Sequence, residues 1–368
     1  MKKKVLYVLQ GLSYGGVPGV LLNYYREIKD DVEAHWIIKD TSNLNSDYAN
    51  ELRGYGCEVY SVTSFNKNIF QYSRELRDII KQGNYDVIHD NNKYFAFLSL
   101  FHAKKNKIPV RICHVHNTVA KEEKNFIHRC FIMMASWLSV KYSTFLMACS
   151  DAAGESMFGD KEFRVLNNAI DVSRYSFSGQ VRQTYRNELG VTSDFILMTV
   201  GRHDPLKRYD FSMKVFSELK KLKKNAKYVI VGVSKDELTG NEKKVYDSLD
   251  NDTKESILFL GARGDIKELL NVADVFMLTS EHEGFGMAVV EAQANGLPCV
   301  VSTGLPTSVK QTDLVTFLEL KDSPSTWAST ILNNETRFDR EHYSNIMKES
   351  EFSIQKCAIQ LKKFYGCE

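Results

Sequence analysis

This chain lacks an excess of either charge, a close cysteine pair and any long apolar run. Its 48 Lys and Arg stand against 46 Asp and Glu, a net charge of +2 over 368 residues. A balance so near zero gives no argument for a nucleic-acid partner. The seven cysteines (Cys57, Cys113, Cys130, Cys149, Cys299, Cys357, Cys367) include no CxxC pair, and several lie in apolar, strand-like runs. That scatter predicts reduced, mostly buried thiols and a cytoplasmic setting. The longest candidate for a membrane span, Cys130 to Val140, is bounded by Arg129 and Lys141. It falls well short of the roughly 20 apolar residues that a bilayer demands. The opening MKKKVLYVLQGL mimics a charged leader. Its apolar part is short, has no small-residue cleavage site and runs into a Gly-rich turn, so a first strand is predicted instead.

With 43% hydrophobic and 26% charged residues, the chain has the composition of a globular protein and the length for two domains. Strands are predicted near 4–10, 33–39, 57–62, 85–90, 109–116, 145–150 and 163–167, with helix patterns between most of them. The alternation restarts near 195–200, 227–232, 257–261, 274–280, 298–302 and 314–319. Each run predicts an α/β, doubly wound parallel sheet. Two such plans give two Rossmann-like domains, 1–173 and 174–350, followed by a helix pattern in 351–368.

The most informative stretch runs from Asp274 to Ser302. An apolar strand ends at Ser280, a turn carries Glu283, Gly284 and Gly286, and a helix pattern begins by about Phe285. Glycines there let a ligand approach the backbone, and the first amides of the helix attract an anion. Glu291, eight positions after Glu283, lies about two helical turns on, so both carboxylates can face the strand's carboxyl end. Amides suit a diphosphate and carboxylates accept from sugar and ribose hydroxyls. The same residues also fit a loop charge and a core-edge helix position.

Upstream, Gly201-Arg202-His203-Asp204-Pro205-Leu206-Lys207 follows the first strand of the second half, with Asp204 as N-cap and Pro205 at the first helical position. Arg202 and Lys207 can therefore meet one anion over a helix start, or be a plain exposed basic pair. The loop Gly11 to Gly19, with Gly15 and Gly16, follows the first strand but lacks GxGxxG spacing and reads equally as a tight turn. His114 and His116 share one face of a strand end, without a third residue at metal-ligand spacing. Asp250-Asn251-Asp252 spells DxD but follows a polar helix, so it reads as a surface helix end. From Lys121 to Tyr142 the pattern is apolar nearly all round, which ordinarily means burial. The alternative is an interfacial helix whose cations meet anionic lipid while Trp137 enters the headgroup layer.

Taken together, these segments resemble retaining glycosyltransferases of family 4, which have the GT-B fold, and look closest to bacterial exopolysaccharide and capsule enzymes. Glu283-Gly-Phe-Gly-Met-Ala-Val-Val-Glu291 is similar to their E-x7-E segment, Gly201-Arg202 to Lys207 to their GR-x4-K element, and Asn167-Asn168-Ala169-Ile170-Asp171 to their Pro-Asn-Gly-Ile-Asp segment, with Asn167 for proline and Ala169 for glycine. The resemblance implies transfer of a hexose or N-acetylhexosamine from a nucleotide diphosphate donor, UDP being the commoner choice, with no metal or further cofactor. Arg202 and Lys207 would grip the diphosphate, Glu283 the sugar, Glu291 the ribose and His116 the sugar's far side. Gly15, Gly16, Arg263, Phe285, Gly286 and Met287 would complete the donor site, largely through backbone, with His114 behind His116 or on the acceptor side, and the helix in 351–368 would cross back to the first domain. The implied acceptor is a glycan or a polyprenyl-diphosphate-linked oligosaccharide, reached from the cytoplasm with peripheral contact to the inner face of the cell membrane. A GT-B-like sugar-nucleotide epimerase and a non-catalytic partner of a sister transferase are the alternatives.

Overall fold

The computed structural model describes residues 2–12, 16–39, 44–117, 126–334 and 339–367. The chain divides into two compact units, Met1–Ile170 with Ile354–Glu368, and Asp171–Ser353.

In the first unit the order is β1 (Lys3–Leu9), α1 (Gly16–Ile28), β2 (Val32–Ile38), α2 (Asp47–Gly54), β3 (Glu58–Ser61), α3 (Ile69–Gly83) and β4 (Val87–Asp90). It continues through α4 (Phe97–Lys105), β5 (Val110–Val115), α5 (Phe126–Tyr142), β6 (Phe145–Ala148), α6 (Asp151–Phe158) and β7 (Arg164–Val165). The strands form one parallel sheet, ordered β3-β2-β1-β4-β5-β6-β7. Val5 to Leu9 are all buried, as expected of a strand covered on both faces. On one face Leu6, Val8, Ile37 and Ile88 meet Tyr72, Leu76 and Ile80 of α3. Those three recur every four residues and so form one stripe, with Leu76 and Ile80 each worth about 1.5–3 kcal/mol of burial. Asn68 starts that helix by accepting from the Gln71 N–H at 3.0 Å.

On the other face Tyr7 stacks on Trp36, ring centroids 4.4 Å apart. There α15 (Ile354–Tyr365) packs against α1, and the Ile354 N–H donates to the Ile170 carbonyl at 3.0 Å.

One expectation is overturned at α5. Its first predicted residues, 121–125, lie outside the described residues, and the rest is not a buried helix. Only Ala135 and Ser139 are buried, whereas Phe126 is 79% exposed, Ile127 78%, Met133 71%, Trp137 58% and Met134 52%. The apolar residues spread round the helix, but the sheet and α4 cover one side only. No helix among the described residues is long and apolar enough to cross a membrane.

The second unit runs α7 (Gly179–Glu188), β8 (Phe195–Val200), α8 (Tyr209–Leu222), β9 (Ala226–Val231), α9 (Gly240–Ser248), α10 (Asn251–Glu255) and β10 (Ile257–Phe259). Then follow α11 (Ile266–Leu269), β11 (Val275–Leu278), α12 (Met287–Ala294), β12 (Cys299–Ser302), β13 (Val315–Leu318), α13 (Pro324–Asn333) and α14 (Arg340–Lys348). Its parallel sheet is ordered β10-β9-β8-β11-β12-β13. Asp250 of the DxD triplet caps α10, accepting from the Thr253 N–H at 2.8 Å and hydroxyl at 2.7 Å. The units part at Ile170/Asp171 and Ser353/Ile354, against the expected 173/174 and 350/351. At the first boundary the cause is the short 3-10 turn Val172–Tyr175, which packs on α12 and α14 of the second unit.

Strand order decides where a site can lie. In each sheet the chain walks outward from its first strand and then returns to that strand's other side. The borders β1/β4 and β8/β11 are therefore topological switch points, where the carboxyl ends of strands leave a crevice. At the opposite end of β11, Asp274 accepts from Arg182 at 2.5 Å and Arg186 at 2.7 Å. Arg340 donates to the carbonyls of Leu270, Ala273 and Asn295 at 3.0–3.2 Å, and burial pushes its guanidinium down to about 9. This clamp fixes the end of the strand that the site does not use.

Candidate active site

The second unit's switch point is framed by the loops after β8 and β11. After Val200 the chain leaves the strand through Gly201 and Arg202, and Asp204 accepts from the Leu206 N–H at 3.0 Å to cap the 3-10 turn Pro205–Lys207. Arg208 then takes a left-handed conformation, φ 54°, and opens α8. The loop after β11 is tied to this turn. The Thr279 hydroxyl donates to the Lys207 carbonyl at 2.9 Å, and the Glu281 N–H to the Leu206 carbonyl at 2.7 Å. The outcome is an ion pair between Lys207 and Glu283, both side chains largely shielded from solvent. The Ser280 hydroxyl holds the same carboxylate oxygen at 2.7 Å. Arg202 is exposed, and among the described residues no hydrogen bond or ion pair engages it.

Two glycines allow this arrangement. Gly286 takes φ +91° as N-cap of α12, a conformation an L side chain resists. At Gly304 an added Cβ would lie 2.4 Å from the Ser280 and Glu281 carbonyl oxygens, so only glycine lets the loops after β11 and β12 approach. The Gly304 carbonyl accepts from the Glu283 N–H at 3.1 Å, fixing the acidic residue's backbone. The amides at the start of α12 have no acceptor within the helix and carry its positive end. One carboxylate, the exposed Arg202, the tethered Lys207 and a helix start thus frame one strand edge. An anion arriving there could take the Lys207 ammonium from Glu283 and release that carboxylate for hydroxyl groups.

Glu291 lies on α12 and accepts from the Tyr175 hydroxyl at 3.1 Å. Burial pushes its carboxyl up to about 7, against the pull of that hydroxyl. The Phe285 side chain turns into the unit against Phe352, ring centroids 4.9 Å apart, so only its backbone remains for a ligand. Met287 begins α12. The Arg263 side chain is paired to Asp265 through two hydrogen bonds, at 2.8 and 2.5 Å, which likewise leaves its backbone for a ligand.

The first unit gathers a different set at the ends of β4 and β5. His116 is buried, with Nδ1 2.9 Å from Asn168 Oδ1 and Nε2 2.9 Å from Asn91 Oδ1. Burial pushes its imidazole down to about 4, so the ring is neutral and carries one hydrogen. Asn91 donates its Nδ2 to the His89 carbonyl at 3.1 Å, which orients its oxygen toward Nε2 and places the hydrogen there. Nδ1 then accepts, which requires Asn168 to present its amide nitrogen. A sugar hydroxyl could reach a ring nitrogen of His116 only by exchanging with one of these two amides.

His114 sits between His116 and His89, with ring centroids 4.0 and 5.2 Å away, and burial holds it well below the usual histidine range. His89 closes the row on Tyr365 of α15, Nδ1 to hydroxyl 2.6 Å. Gly16 opens α1 with φ 55° and is exposed, while Gly15 lies outside the described residues. Among the described residues no group of three or more His, Cys, Asp or Glu side chains is placed to hold a metal ion.

Several partners escape a sequence reading. His203, inside the Gly201 to Lys207 run, pairs with buried Glu242 at 2.7 Å, 39 residues on. Arg208 pairs with Asp210 at 3.0 Å and Glu281 at 3.8 Å. Tyr175 and Asn91 carried no motif, although the polar Asp90-Asn91-Asn92 at a strand end was a usable signal.

The family model for glycosyl transferases group 1 matches residues 181–313, and that for Glycosyltransferase Family 4 matches residues 14–174. EpsF of Bacillus subtilis (strain 168), which carries the name of a glycosyltransferase, is 29% identical over 339 residues, spanning 90% of this chain and 87% of that one. The UDP-Gal:alpha-D-GlcNAc-diphosphoundecaprenol alpha-1,3-galactosyltransferase of Escherichia coli is 26% identical over 389 residues, spanning 99% of this chain and 97% of that one. Among solved structures, Anabaena HepE in complex with UDP and glucose superposes with a TM-score of 0.78 at 17% identity over 100% of both chains. That likeness is one of fold, the two Rossmann-like parallel-sheet domains called GT-B.

Proposed function

Because the chain belongs to the GT-B glycosyltransferases of family 4 and builds polysaccharide or lipid-linked glycan, we propose that it moves a hexose or N-acetylhexosamine from a UDP-sugar to a glycan or polyprenyl-diphosphate-linked oligosaccharide with retention at the anomeric carbon. The observation that carries this reading is the tethered Lys207–Glu283 pair beside the exposed Arg202 at the β8/β11 switch point. Two cations and the α12 amides match a diphosphate, and a carboxylate freed from Lys207 matches the sugar hydroxyls. The galactosyltransferase relative, by its name, uses UDP-galactose and a diphosphoundecaprenol acceptor.

Departure of the diphosphate from the anomeric carbon breaks the C–O bond and puts negative charge on the phosphate oxygens. Arg202, Lys207 and the amides near Phe285–Met287 meet that charge as it develops. On the same face the acceptor oxygen forms the new bond and its proton passes to the departing phosphate oxygen, so no side-chain nucleophile is required. The two cations do the work a divalent metal would do. Glu291 holds the ribose when ionised, and His116 is a further sugar-binding residue. The apolar exposed face of α5, with Arg129 and Lys141 as its only Arg or Lys, supports peripheral contact with the anionic inner leaflet.

The test is transfer from a panel of UDP- and GDP-sugars to a synthetic lipid-linked saccharide diphosphate, with the product's anomeric configuration read by proton NMR. An α-linked product from an α-linked UDP-sugar is expected. A β-linked product would overturn retention, and turnover with GDP-sugars alone would overturn the donor assignment.

A further inference from the structure

Lys39 plays no part in the donor site, yet it is the least explained charge in the first unit. It follows β2, its N–H donates to the Gln10 carbonyl at 3.0 Å, and it therefore stands at the carboxyl edge of the sheet beside the end of β1. The side chain is 7% exposed. Its ammonium lies 5.1 Å from the ring centre of Tyr72 and 5.7 Å from that of Phe95. Among the described residues no hydrogen bond or ion pair engages it. A buried ammonium with three unused donors is costly, and a cation over aromatic faces recovers only part of that cost. Burial pushes it down to about 8, with the Asp90 charge pulling the other way.

Asp90 does not use those donors. One of its oxygens accepts from the Asn92 N–H at 2.8 Å and side-chain amide at 2.9 Å, and the other from the Ser99 hydroxyl at 2.5 Å.

The aromatic wall continues outward from Phe95. Phe65 lies 4.8 Å from Phe95, and Phe131 of α5 lies 6.1 Å from each. Beyond Phe131 the same helix exposes Ile127, Met134 and Trp137. In sequence, residues 91–117 and 126–150 contain seven Lys or Arg and no Asp or Glu, while 118–125 between them carry Lys121, Glu122, Glu123 and Lys124.

We infer that Lys39 reads the phosphate charge of the acceptor, and that Phe95, Phe65 and Phe131 lead the acceptor's apolar tail from it to the exposed face of α5. The inference rests on the reading above that the acceptor is a lipid-linked diphosphate. It adds the residue that distinguishes this acceptor from a neutral glycan. A buried cation at the head, aromatic rings along the middle and an apolar helix face at the end match, in order, a diphosphate and its polyprenyl chain.

The test uses full-length protein carrying Arg202→Ala and Lys207→Ala, so that a diphosphate cannot register at the donor site. Calorimetric titration with geranylgeranyl diphosphate, geranylgeraniol and inorganic pyrophosphate should rank the lipid diphosphate first. Adding Lys39→Met should weaken the lipid diphosphate at least tenfold and leave geranylgeraniol unchanged, while Lys39→Arg should keep affinity within about threefold. Equal binding by Lys39→Met, or equal binding of alcohol and diphosphate, would overturn the inference. Should Lys39→Met not fold, Asp90→Asn decides: losing the neighbouring carboxylate should tighten the lipid diphosphate, and unchanged or weaker binding would count against Lys39. Titration of UDP into the unmodified protein reports separately on the donor reading, so the two can fail independently.

Discussion

The two units repeat one architecture and spend their polar groups in opposite ways. In the second unit the charges at the switch point stand at its rim: Arg202 is exposed, and Lys207 is held by a carboxylate that a ligand can replace. In the first unit the polar groups are sunk. His89, His114 and His116 are fully enclosed, both ring nitrogens of His116 are taken by asparagines, and the Lys39 ammonium is buried with no hydrogen bond among the described residues. Charge at a rim captures a strongly anionic ligand, whereas buried neutral rings shape a wall against a ligand that brings little charge except at one point. The same sheet can thus serve two substrates, because function resides in the loops after its strands.

The sharpest way to break this contrast is to remove the rim charges. Arg202→Ala and Lys207→Ala should each lower turnover of the nucleotide sugar by about 10²–10³-fold, or about 3–4 kcal/mol, in a coupled assay for released nucleotide. Glu283→Gln should cost less, about 1.5–3 kcal/mol in kcat/KM, because a neutral amide still reaches a sugar hydroxyl. Turnover equal to wild type in any of these would remove that residue from the donor site.

The sunken groups should answer through stability instead. Burial pushes His89 down to about 3, so the folded state excludes a proton that the unfolded chain accepts near its ordinary 6.5. Stability is therefore full above about pH 6.5 and is lost as pH falls toward 3, by about 2 kcal/mol at pH 5 from this ring alone. His89→Gln should flatten that acid slope in urea titrations run between pH 7 and pH 5, and an unchanged slope would contradict the burial argument. Gly304→Ala should destabilise by about 1–3 kcal/mol, since its Cβ would meet backbone oxygens at 2.4 Å, and should weaken donor binding with it.

The smallest expected effect concerns Glu291. Its carboxyl sits at about 7, and the Tyr175 hydroxyl holds it lower than burial alone would. Tyr175→Phe should move the acid limb of donor affinity to higher pH by several tenths of a unit, and a shift to lower pH would contradict the assignment.

How far the sequence spoke follows the same contrast. Strands such as β1, β8, β11 and β12 lay in apolar runs that could be read directly, because a parallel strand covered on both faces is a continuous apolar segment, whereas β3 and β7, half-buried or exposed, do not follow that rule. The groups framing the β8/β11 switch point were legible too, since Gly201 to Lys207 and Glu283 to Glu291 are contiguous segments at strand ends. What stayed hidden depends on long sequence separation: Asn91 and Asn168 meeting at His116, Tyr175 reaching Glu291, and Lys39 lying over Tyr72 and Phe95. The exposure of α5 was also illegible, because an apolar pattern all round a helix is the same whether its outer side meets protein or not.

One titration tests the central claim most directly: UDP against the unmodified chain and against the Arg202→Ala, Lys207→Ala double variant. The account predicts one UDP per chain, with affinity lowered at least a hundredfold in the double variant while its thermal unfolding stays cooperative. Binding of UDP to the double variant at undiminished affinity would contradict it.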